Sequence, residues 1–174
     1  MNSALLHLAA NHFPLMGAFF GMVVLVLGYS FRSDQTKITA YFVFIISVIG
    51  GGISYLSGPA AADAVKNLPG IVKEDIGEHA GAAFFALVAY IILGVLSVIG
   101  IIFTIKKNAM AGKFSVVILV AALLCFLIAA RTSYLGGHIS HPEIKPDSES
   151  TFLDIGDIDI REEPIDGDFD DEFE

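Results

Sequence analysis

The chain has 174 residues, of which 55% are hydrophobic, with a mean hydropathy of +0.70 and a formal net charge of −9. A soluble domain of this size has too little interior to hide so much apolar side chain, which excludes an ordinary water-soluble fold. No basic stripe exists along the sequence, which excludes nucleic-acid binding.

The first ten residues, "MNSALLHLAA", read as a short interfacial helix or as an extension of the apolar run that follows. They lack the basic start and the small-residue cleavage site of a signal peptide. The next stretch, "HFPLMGAFFGMVVLVLGYSF", places His12 and Pro14 at the mouth of an uncharged run. Proline suits the opening turn of a helix, where its missing N–H costs nothing. His7 and His12 are five residues apart. On one straight helix they would diverge by about 140°, so either the chain breaks between them or only one points inward.

Three more uncharged apolar runs follow, at 38–57, 80–105 and 114–130. Runs of this length read as membrane spans, and without water each must be a helix that satisfies its own backbone. The reading is an all-α membrane protein: a four-helix transmembrane domain over 1–146, with spans at about 13–31, 38–57, 80–105 and 114–135. Short connections favour an up-down antiparallel bundle. Cys125 lies alone in the fourth run and reads as packing.

The charges divide sharply. Residues 147–174 hold thirteen acids and one base, Arg161, whereas residues 1–146 hold nine bases and six acids. The acidic tail lacks a sustained apolar period and is expected to be disordered alone, with interspersed Phe and Ile residues suited to folding on a partner. A basic periplasmic redox protein would match its charge. The two short connections, with Arg32 and Lys37 in one and Lys106, Lys107 and Lys113 in the other, are the basic ones. The positive-inside rule puts both in the cytoplasm of a bacterial inner-membrane protein and both termini outside.

With that topology all five histidines lie at the outer face. His7 and His12 precede the first span, His79 precedes the third, and His138 and His141 follow the fourth. The Gly136–Gly137 pair is expected to end the fourth helix, leaving His138 at its exit and His141 further out. Neutral imidazole is a ligand for haem iron and for metal ions, and a four-helix bundle can hold a haem between facing helices. His12, His79 and His138 are the favoured ligands for haem b or a metal, with His7 and His141 nearby. Arg131, at the same end, suits a haem propionate. Electron transfer is the leading function; the alternative is a cofactor-free structural or assembly subunit. A transporter ranks last, since the spans lack the buried charge that marks an ion pathway. No nucleophile–base pair or phosphate-cradling loop supports enzyme chemistry.

The elements "LHLAANHFPLMGAFFG", "GEHAG" and "RTSYLGGHISH" together resemble a family of uncharacterised four-helix bacterial membrane proteins, catalogued as a domain of unknown function. Its members read roughly H-P-x-x-x-H-F-P near the start and carry a Gly-Gly motif before the C-terminus. The resemblance spans residues 5–141 and implies a redox or haem-linked role. This chain departs from the pattern at Leu8, where members often have proline.

Overall fold

The computed structural model describes residues 3–141, all of whose regular elements are helices: α1 (Ser3–Ala10), α2 (His12–Ser30), α3 (Asp34–Val65), α4 (Lys73–Ile105) and α5 (Ala111–Ser140). The acidic segment 147–174, and the disorder expected for it, lie outside the described residues. Four helical stretches, Ala4–Ser30, Asp34–Val65, Lys73–Ile105 and Ala111–Ser140, are long and apolar enough to cross a membrane.

Helix boundaries follow local chemistry in most places. Pro14 has no N–H to offer the carbonyl of Ala10, and its ring crowds that carbonyl, so α1 stops and α2 restarts one residue later. Ser33 caps α3, its hydroxyl accepting the N–H of Thr36 at 3.2 Å. Helix α2 ends with Ser33 N–H donating to Gly28 O, and α4 ends with Asn108 N–H donating to Phe103 O. Both are six-residue C-terminal closures that need one left-handed residue. Arg32 (φ 51°) and Lys107 (φ 53°) take those positions.

Three helices run further than the apolar pattern indicates, α4 beginning at Lys73, seven residues before its run. Helix α3 continues through Pro59 to Val65, and "AAADA" beyond the proline is strong helix-forming sequence. Helix α5 does not end at Gly136–Gly137 but continues to Ser140, which corrects the expected stop and puts His138 inside the last turn. The reason is tertiary. A Cβ at Gly136 would lie 3.0 Å from Cε1 of His79, so this glycine admits a neighbouring ring instead of terminating a helix.

Helices α2, α3, α4 and α5 close a ring of packed pairs, α2 on α3, α3 on α4, α4 on α5 and α5 on α2, while α1 lies chiefly on α3. Glycines set the close approaches. Gly17 of α2 meets Ser47, Gly21 meets Phe44 and Gly28 meets Lys37, all on α3; Gly94 and Gly100 of α4 meet Val48 and Tyr41. Inside the ring Leu25, Tyr41, Phe44, Tyr90, Leu93 and Ile118 are fully buried. Cys125 is buried among them as a free thiol.

The interior also holds Ser47, Ser57, Ser97, Thr104 and Ser115. Each donates its hydroxyl to the carbonyl four residues earlier in its own helix, so none is left unsatisfied. Ser115 spends its proton on Ala111 O, so the Tyr41 hydroxyl, 2.8 Å away, is the donor to Ser115 Oγ. The outer surface is the reverse of a soluble protein's: Leu56 is 80% exposed and Phe85 68%.

Candidate functional site

One end of the helix ring gathers charge. Asp34, in the first turn of α3, accepts from Lys107 at 2.6 Å and lies 3.5 Å from Lys37, which ties the two short connections together. The histidines lie at the other end. Ser54, beside His7, is twenty residues beyond Asp34 on α3, about 30 Å at 1.5 Å per residue.

His7 comes from α1. Helix α1 continues the line of α2 along α3, and the half-buried imidazole donates Nδ1–H to the carbonyl of Ser54 at 2.9 Å. Ser57 Oγ stands 3.4 Å from the same nitrogen. A carbonyl can only accept, so this bond requires the proton on Nδ1. His79 comes from the second turn of α4. It is also half-buried, and its Nδ1–H donates to the carbonyl of Thr132 on α5 at 3.0 Å. The ring fits because Gly136, one turn further on, has no side chain.

The two rings stand edge to face, with centroids 6.3 Å apart and planes at 88°. Among the described residues neither Nε2 has a hydrogen-bond partner. In each neutral ring the lone pair is therefore on Nε2. A metal-binding histidine is commonly arranged this way, with its other nitrogen fixed by a carbonyl.

The remaining site candidates are placed differently. His12 is the first residue of α2 and is exposed, so of the two N-terminal histidines it is His7 that joins His79. His138 packs edge-on against Tyr134, one turn earlier on its own helix, with centroids 4.2 Å apart. Its Nε2 is buried without a partner, as is Oδ1 of Asn11 at the α1–α2 break. His141 is exposed at the end of α5, its N–H donating to Gly137 O. Arg131 is exposed and immediately precedes the Thr132 carbonyl that anchors His79. Among the described residues there is no group of three or more His, Cys, Asp or Glu side chains suited to holding a metal ion.

The role of His7 was hard to read because its partner carbonyl is 47 positions away. Pro14 signals an interruption near Ala10 but not which way His7 faces. No family model, no curated protein and no solved structure matches the chain.

Proposed function

We propose that the chain is a multi-pass inner-membrane protein that holds haem b between His7 and His79 at its outer end and takes part in electron transfer. In this reading the four long helices cross the bilayer as an up-down antiparallel bundle. Hydroxyls and glycines line its interior and leucine, isoleucine and phenylalanine face lipid, as expected where helices associate without water. The roughly 30 Å between the Asp34–Lys107 pair and His7 equals a bilayer's hydrocarbon thickness.

The observation that carries the cofactor reading is the matched pair of Nδ1–carbonyl bonds, which leaves both Nε2 lone pairs without a partner among the described residues. Two imidazoles are only half of a tetrahedral zinc set, whereas His7 and His79 would be the residues that hold a haem iron. Haem, when bound, supplies one-electron chemistry. The chain's own residues orient the two rings through Ser54 and Thr132, and Arg131 offers a guanidinium for a propionate. The acidic tail is the proposed contact for a basic redox partner.

The test is an absorption spectrum of the purified protein with and without dithionite. The expected result is a reduced-minus-oxidised difference in the haem region; a flat spectrum after expression with ample haem precursor rejects the reading. The same Nδ1 bonds also tie α1 to α3 and α4 to α5. That favours, as the second reading, a cofactor-free structural or assembly subunit in which these histidines serve only as interhelical links.

Orientation has its own test. Five bases lie in or beside the two short connections, so residue 110 should be cytoplasmic and residue 174 external. Reporter fusions at the two positions should give opposite locations. A cytoplasmic signal at residue 174 would reject the outward-facing termini.

A further inference from the structure

We infer that the groove between the C-terminal end of α2 and the N-terminal end of α5 is a binding site for one anionic phospholipid of the leaflet that meets the basic connections. The inference rests on the membrane reading above, but not on the histidine pair.

The groove is apolar and has a volume of about 190 Å³, with Leu25, Val26, Tyr29, Val116 and Leu119 among its walls. Sites that enclose a whole small molecule run to roughly 300–1,000 Å³, so this space suits a length of hydrocarbon chain instead. It opens on the lipid-facing side, where Val26, Tyr29 and Val116 are each about half exposed.

The end of the groove nearest the connections is marked by Ser30 and Ser115, and each has a cation two residues further out, Arg32 and Lys113. Both cations are exposed, and among the described residues neither has an ion-pair partner. Of the other cations of this end, Lys37 and Lys107 are engaged by Asp34, and Lys106 caps α4, which does not line the groove. Arg32 takes a left-handed backbone position, as Lys107 does at the end of α4.

The first turn of α5 adds a third feature. Met110 gives it no side-chain cap, and the space around the Cβ direction of Gly112 is open. Its backbone N–H groups and dipole favour a phosphate next to Lys113. An acyl chain in the groove would place a phosphodiester at this cationic mouth. A neutral headgroup would gain the groove but little from the two cations.

The test uses full-length protein purified in mild detergent and titrated with dioleoyl phosphatidylglycerol or dioleoyl phosphatidylcholine, with bound lipid counted by native mass spectrometry. Wild type should retain one phosphatidylglycerol at least tenfold more tightly than phosphatidylcholine. The R32N/K113Q variant should lose roughly ten- to thirtyfold in phosphatidylglycerol retention, as expected for two basic side chains near an anionic surface. Asparagine tolerates the left-handed position, and Lys37, Lys106 and Lys107 remain to set orientation. Val116→Trp, which fills the groove from its exposed wall, should weaken both lipids. Equal binding of the two lipids by wild type overturns the proposal, as does unchanged retention by either variant. Release of wild type from membranes by alkaline carbonate, measured before any lipid is added, would instead reject the membrane reading itself.

Discussion

Replacing either His7 or His79 by alanine is expected to abolish the haem difference spectrum, while His12→Ala leaves it in place. The two rings are held at 6.3 Å by bonds to carbonyls on different helices, so loss of either would remove one of the two residues proposed to hold the haem. His12 is exposed at the start of α2 and is not part of that pair. Insertion should survive all three changes, because it depends on apolar runs that none of them touches. The lost Nδ1 bond should cost only about 0.5–1.5 kcal/mol, since each carbonyl also lies within a helix. A spectrum kept by His7→Ala and lost by His12→Ala would restore His12 as the ligand. A spectrum kept by all the variants would place the cofactor elsewhere.

The largest expected effect on stability is at Gly28. A Cβ there would lie 2.8 Å from the backbone nitrogen of Lys37 and 3.1 Å from the carbonyl carbon of Thr36. Backbone atoms in the first turn of α3 cannot rotate aside as a flexible side chain can. Gly28→Ala should therefore force α2 from α3, at about 1–3 kcal/mol, and Gly28→Leu should cost more. Gly21 is a second such point, since a Cβ there would fall on the ring of Phe44, which is fully buried. Gly52 is the control. Nothing lies within 4 Å of its Cβ direction, so Gly52→Ala should be neutral or should stabilise by up to about 1 kcal/mol through helix propensity. Thermal unfolding of the detergent-solubilised variants separates these outcomes. A Gly28→Ala protein as stable as wild type would show that α2 and α3 do not depend on this approach.

The difference between Gly28 and Gly52 was not readable in the sequence, where both sit in apolar runs rich in small residues. Small residues in such runs favour close helix packing in general. Which glycine receives a neighbour depends on how each helix is turned about its axis, and helices that are apolar all round carry little record of that in their hydropathy.

The four long helices, by contrast, were legible from residues alone. Length and uncharged composition are local properties, and a hydrophobic run with no water to bond to has one stable backbone form. The break before α2 was equally local, because Pro14 withholds a donor from Ala10 whatever surrounds it. The grouping of histidines at one end followed from counting spans. The pairing within that group did not. His7 meets His79 only because α1 carries the line of α2 along α3 as far as Ser54 and because Gly136 leaves room for a ring. The same glycine looked like a helix stop, since a missing side chain reads alike whether it frees the backbone or admits a neighbour. Only the ring of His79 against it decided between the two, and that contact joins residues 57 positions apart in the chain.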